Sequence, residues 1–169
     1  MIDPDKTFVT SDHHFMDWRH APVWLRENTA DEDERHIALW NSVVGKDDLV
    51  LYVGDFCDGR DDELDELCKR LNGRKILIKG NHDWFDDESY RRAFEDVVKE
   101  LRLDELNIRL IHMREEATAR LPGERLIYGH EHRLFEPPPT TRDAICVCAR
   151  WHAWKPITLT EAIRRMDAA

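Results

Sequence analysis

The sequence predicts an α/β domain, and three observations carry the prediction. Short apolar runs of strand length alternate with stretches of helical period. Apolar residues make up 41% of 169 residues, enough for one core in a single domain spanning residues 1–169. The apolar runs also end in polar, metal-capable residues, and α/β sheets gather their ligand sites at such strand ends.

Residues 7–10 (TFVT) read as a strand running into Ser11, Asp12, His13 and His14. No clear period marks residues 15–30. Residues 31–44 read as a helix, with Ile37, Trp40 and Val44 on one stripe, acids at the start and Gly45 as the stop. Residues 49–53 (LVLYV) form a buried-strand run ending in Gly54 and Asp55. A second helix is expected over 61–71, with Leu64, Leu67, Cys68 and Leu71 inward, stopped by Asn72-Gly73. Residues 76–78 read as a third strand, followed by Gly80, Asn81, His82 and Asp83, and a short helix covers 89–94. Residues 97–103 and 108–112 are expected to pair as a hairpin around Asp104-Glu105. Residues 126–128 precede Gly129, His130, Glu131 and His132; three prolines at 137–139 mark a loop, and 144–149 is a late strand. Thr158 and Glu161 form a capping box for the last helix, which runs through Met166.

The net charge of −10 argues against a broad grip on nucleic acid, which needs basic patches. It does not argue against a phosphate substrate, since bound cations reverse the local field. No apolar run reaches the ~20 residues that cross a bilayer. The acidic opening lacks a signal-peptide pattern, so a cytoplasmic protein is expected. None of the four cysteines shows C-x-x-C spacing, and Cys146 and Cys148 read as packing residues on one strand face.

The strand ends present Asp12, His14, Asp55, Asn81, His112, His130 and His132. Taken singly, each has a plain reading as a turn or loop residue; together they suit a binuclear centre. Two cations ~3.5–4 Å apart need an anionic bridge, and Asp55, alone after its strand, is the candidate. Imidazole, carboxylate and a neutral Asn oxygen favour Mn, Fe, Zn, Ni or Co. The absence of a thiolate from the set counts against structural zinc. His13, His20, His36 and His152 read as non-ligands.

In order, Asp12-x-His14, Gly54-Asp55, Gly80-Asn81-His82-Asp83, His112 and Gly129-His130-x-His132 resemble the motifs of the calcineurin-like metallophosphoesterase family. The resemblance implies a four-layer α/β/β/α sandwich with two mixed sheets. It implies that Asp12, His14 and His132 hold one metal, that Asn81, His112 and His130 hold a second, and that Asp55 bridges them. His82 would face the leaving group, with Asp83 orienting it. Two divalent cations against the two carboxylates leave a positive surplus that attracts phosphate and acidifies water for attack on phosphorus.

Some positions depart from that pattern. Met16 and Asp17 stand where relatives with a similar DxHF opening often have Gly-His. Met113-Arg114 replaces a common Tyr-Pro, and Glu131 sits where a small or neutral residue is commoner. These differences bear on substrate choice more than on metal binding. The segment from Gly54 to Asp58 resembles the family's GDxxD, but Gly59 separates Asp58 from Arg60. Arg60 is therefore either an offset phosphate ligand or a surface charge. Trp18, Arg19, His20 and Trp24 are candidates for a pocket wall, with packing the plainer role for both tryptophans.

The expected function is metal-dependent hydrolysis of a small phosphodiester or phosphomonoester, nucleotides among the candidates, with no membrane partner. Two alternatives remain: a nuclease, against which the net charge counts, and a non-catalytic scaffold, which would be expected to have lost ligands or His82.

Overall fold

The computed structural model describes residues 2–20, 28–133 and 135–169, without the side chains of Arg19 and His20. The chain runs β1 (Thr7–Thr10), α1 (Asp17–His20), α2 (Ala30–Asn41), β2 (Leu49–Tyr52), α3 (Asp61–Arg70), β3 (Arg74–Ile78) and α4 (Asp87–Ala93). It continues through β4 (Asp96–Val98), β5 (Glu100–Leu103), β6 (Ile108–Ile111), β7 (Arg125–Tyr128), β8 (Ala144–Cys146), β9 (Ile157–Thr158) and α5 (Leu159–Asp167). One sheet has the order β4-β3-β2-β1-β9 and the other β5-β6-β7-β8. Both are mixed: β9 runs antiparallel to β1, and β5 antiparallel to β6, while the other pairs are parallel.

The period of two explains the continuous apolar runs. Phe8, Val50, Tyr52 and Leu77 point to one face of the first sheet, where they pack on Ile37, Trp40, Leu64, Leu67 and Tyr90 from α2, α3 and α4. Their neighbours Val9, Leu51, Val53 and Ile78 point the other way, into Ile108, Leu110, Ile127 and Ile145 of the second sheet. A strand buried on both faces has no polar side to alternate with. Leu159, Ala162 and Met166 of α5 join the core between the sheets. The outer face of the second sheet carries Leu126, Tyr128, Cys146 and Cys148, covered by Ala117 and Trp151. This is the four-layer α/β sandwich, its last layer made thin by short 3-10 turns at Arg114–Glu116 and Ala149–His152.

Three sequence expectations need correction. The hairpin holds only for β5 and β6; residues 96–98 pair in parallel with β3, so the chain changes sheets at Lys99. Alternating apolar residues fix which faces are buried, not which sheet takes the strand. The late strand stops at Cys146: the amide of Ser11 donates to the Val147 carbonyl, and that of Ala149 to the Ser11 carbonyl. Residues 147–149 thus stitch the two sheets together where β1 ends. Only half of the Thr158–Glu161 box forms, because the Glu161 carboxylate pairs with Arg164 and Arg165. A complete box forms instead at Thr29 and Glu32, which start α2.

Among the described residues, no helix is long and apolar enough to cross a membrane.

Candidate metal centre

Strands β1, β2, β3, β6 and β7 end side by side, and the loops after them bring seven sequence-predicted residues together. Asp12, His14, Asp55 and His132 offer ligand atoms within 4.8 Å of one another, and so do Asp55, His112 and His130. The two groups share Asp55. Asn81 belongs to the second, its Oδ1 lying 3.1 Å from His112 Nε2. His14 Nε2 and His112 Nε2 both approach Asp55 Oδ2, at 3.6 and 3.2 Å.

The backbone is bent to make this possible. Asp12, His14, Asp55 and His130 all adopt left-handed φ, between 46° and 70°. Each such residue costs roughly 1 kcal/mol. The sum is comparable to one core leucine, about 2–5 kcal/mol, so the surrounding core can hold the site bent. Glycines make room for the side chains. A Cβ on Gly54 would run into the His112 ring, and one on Gly80 into Asp55 Oδ1. Gly80→Ala should therefore displace the Asp55 carboxylate. Metal content by elemental analysis is expected to drop while the far-ultraviolet circular dichroism stays parental; unchanged metal content would refute this account of the glycine.

Hydrogen bonds fix which atoms face inward. His112 Nδ1 sits 2.8 Å from the Val53 carbonyl, which selects the Nδ1–H tautomer and leaves Nε2 for a cation. His14 Nδ1 bonds Asp58 at 2.7 Å, so its Nε2 likewise turns to Asp55. The amide of His82 donates to Asp55 Oδ1 at 2.8 Å, and that of His130 donates to the Asp12 carboxylate at 3.0 Å. Yet His14 Nε2, Asp55 Oδ2 and His130 Nδ1 are buried with no hydrogen-bond partner among the described residues. Buried polar atoms are normally satisfied. Orphaned imidazole and carboxylate atoms within the two groups that share Asp55 fit the chemistry of divalent cations.

The same cage favours protons on two of its histidines. Burial pulls the His14 ring down, but Asp58, Asp55 and Asp12 outweigh it and raise its pKa to about 9. At His112 burial is again outweighed, by Asp55, Asp12 and the Val53 carbonyl, with a pKa of about 9. Burial pushes Asp55 up, yet the His112 and His14 rings and the His82 amide leave it below its usual value. The sign of the linkage follows. Both histidines bind protons more tightly folded than unfolded, so their contribution is complete below pH 6.5 and fades as pH rises to about 9. Cations compete with those protons and gain affinity over the same range. The melting temperature of metal-stripped protein should fall between pH 6.5 and 9 by roughly 5 °C or more. The upward shift on adding Mn should grow across the same range. Calorimetry at stepped pH checks both, and a flat profile would mean the rings are neutral.

The second tier of predicted residues is more divided. His82 is half-buried, its ring 5.1 Å from that of His14. Its Nδ1 lies 3.7 Å from Asp58 Oδ1, and Asp58 raises its pKa. Asp83 does not orient it. That buried carboxylate accepts from the amides of Asp55, Phe56 and Gly80, and so braces two ligand loops from below. The carboxylate facing His82 belongs to Asp58, which the GDxxD spacing singled out without assigning a partner. His14, Asp58 and His82 also converge, but the His14–Asp58 contact is a hydrogen bond on the ring edge opposite the one facing Asp55.

Of the two readings of Arg60, the structure shows the surface charge: its exposed guanidinium bonds Asp62 in the first turn of α3. Trp18 donates its Nε1–H to Asp33 at 2.8 Å, tying α1 to α2. The side chains of Arg19 and His20, and all of Trp24, lie outside the described residues. His13 bonds Tyr52, His36 stacks on Trp154, and His152 bonds the Cys146 carbonyl. Sequence reasoning missed the contact of Cys148 Sγ with Asp12 Oδ2, at 3.2 Å. Nothing in the cysteine spacing signals it.

Known proteins resemble this chain to different degrees. A profile of the calcineurin-like phosphoesterase family matches residues 6–124. An uncharacterised protein of Methanocaldococcus jannaschii is 25% identical over 173 aligned residues, which cover 96% of this chain and 92% of that one. The gene 66 proteins of Mycobacterium phages L5 and D29 are 39% and 44% identical over 84 and 81 residues. Those alignments cover 46% and 45% of this chain and 39% of each phage protein. A crystal structure of an Aquifex aeolicus protein of unknown function has a TM-score of 0.70 and 24% identity, covering 94% of this chain and 97% of that one, a likeness of fold. The profile spans most of the chain and ends beyond β6, whose terminus carries His112, so the chain belongs to the calcineurin-like phosphoesterase family.

Proposed function

We propose that the protein hydrolyses a small phosphoester, monoester or diester, with the help of two divalent cations drawn from Mn, Fe, Zn, Ni or Co. The observation that carries this reading is the sharing of Asp55 by two largely buried ligand groups, with His14 Nε2 and His112 Nε2 3.6 and 3.2 Å from its Oδ2. Asp12, His14 and His132 would hold one cation, Asn81, His112 and His130 the other, with Asp55 between. When bound, the cations would supply Lewis acidity and activate the attacking nucleophile.

The rest falls to the chain itself. The half-buried His82, its pKa raised by Asp58, can donate a proton to the departing oxygen from the ring edge turned away from Asp58. Asp83 keeps the loops of Asp55 and Gly80 in register beneath it. A cavity of about 500 Å³ opens beside Asn81 and His112, bordered by Lys79, Lys99, Val98 and Met113. That is the size of a small-molecule site; Asp87 and Glu116 line it as well, and Lys79 pairs with Asp87 at 3.0 Å.

The test combines elemental analysis with turnover of a phosphomonoester and phosphodiester panel under added Mn, Ni or Zn. Two metals per chain and hydrolysis of at least one ester class are expected. A protein that takes up no metal and hydrolyses none of them would be a scaffold, and the proposal would fail.

A further inference from the structure

An indole stands in the open beside the candidate proton donor. Trp84 is 72% exposed, and its ring centroid lies 5.4 Å from that of His82 at an interplanar angle of 83°. A tryptophan retained for packing would be buried, because the ring gains most of its stabilisation by leaving water. Here it stays outside while its neighbours in sequence are anchored. Asp83 before it is fixed by three backbone amides. Phe85 after it packs beside Tyr90 at 5.5 Å between centroids, and its carbonyl accepts from Lys79 Nζ at 3.0 Å. Asp86 then caps α4 through the Ser89 amide. Trp84 is thus an open aromatic face presented from a pinned backbone, the arrangement that binds a flat ring at low ordering cost.

The position matters as much as the exposure. In the phosphoesterase reading His82 serves the departing oxygen, and the Trp84 ring lies edge to face against that of His82. We propose that Trp84 is a specificity-determining residue that stacks on the leaving group, and that the leaving group carries a nucleobase-like ring, as in esters of nucleoside 5′-phosphates. This rests on the phosphoesterase reading above and adds the class of substrate. Trp18, one of the two tryptophans singled out in the sequence, is engaged with Asp33 instead.

The test compares esters with the same alkoxide chemistry that differ only in the base: a nucleoside 5′-phosphate against ribose 5-phosphate, and the methyl diester of each. The wild type should favour the base-bearing ester by roughly tenfold in kcat/KM, the scale of one base–aromatic stack. Trp84→Ala should abolish that ratio, chiefly through KM, and Trp84→Phe should keep most of it. No preference in the wild type, or a preference that survives Trp84→Ala, overturns the role of Trp84. Failure of the parent reading looks different, since the wild type would then hydrolyse neither ester with Mn, Ni or Zn. In that event quenching of indole fluorescence by a nucleoside 5′-monophosphate decides. Quenching that is lost in Trp84→Phe supports stacking, and equal quenching in both proteins, or none, rejects it.

Discussion

Asp55→Asn should strip the centre of metal and bring turnover to background. Asp55 Oδ2 is the atom both ligand groups share, and an amide there has no negative charge to offset two neighbouring cations. The loss should far exceed the roughly 10- to 100-fold typical of removing an outer-shell partner. The substitution is nearly isosteric, and the amide oxygen can still accept from the His82 backbone N–H, so the fold should survive. Elemental analysis should find fewer than one tightly held metal per chain, and circular dichroism should match the parent. A second signature comes from the metal-free proteins: without the Asp55 charge, the His14 and His112 rings should titrate at lower pH, visible by NMR. Full metal content in Asp55→Asn would remove the bridge from the proposal.

His82→Ala should divide the two functions that Asp55→Asn loses together. His82 lies outside the group formed by Asp12, His14, Asp55 and His132 and outside that formed by Asp55, His112 and His130, so metal content should stay parental. Turnover of alkyl esters should fall by about 10²–10⁴-fold, the usual worth of a positioned general acid. Aryl esters, whose phenolates leave without a proton, should suffer much less. Asp58→Asn should show both deficits in milder form, because Asp58 holds His14 on one side and faces His82 on the other. Equal losses for aryl and alkyl esters in His82→Ala would show that the ring does not assist the departing oxygen.

The candidate ligand residues were legible in the sequence because each lies shortly after an apolar strand run. A strand must end where its polar residues begin, and parallel strands end on the same side of their sheet. Asp12, Asp55 and Asn81 after β1, β2 and β3, and His112 and His130 after β6 and β7, follow that rule. The partners of those residues were not legible. Asp83 stands next to His82 in sequence, yet its carboxylate turns into the loops, because three unsatisfied backbone amides attract it more than one half-exposed ring. Asp58 meets both His14 and His82 across 44 and 24 residues, a relation set by how β1, β2 and β3 lie in the sheet. Arg60 carries the right charge but caps the start of α3, where its guanidinium meets Asp62.

By itself the sequence determined the α/β class, the buried faces of the strands and the identities of the metal-capable residues, because these depend on local period and side-chain chemistry. The tertiary structure alone decided the change of sheet at Lys99, the stitch between Ser11 and residues 147–149, and the exposure of Trp84 beside His82. Those outcomes turn on which of several equally apolar or polar surfaces meet, and that depends on how the two sheets pack rather than on any one segment's pattern.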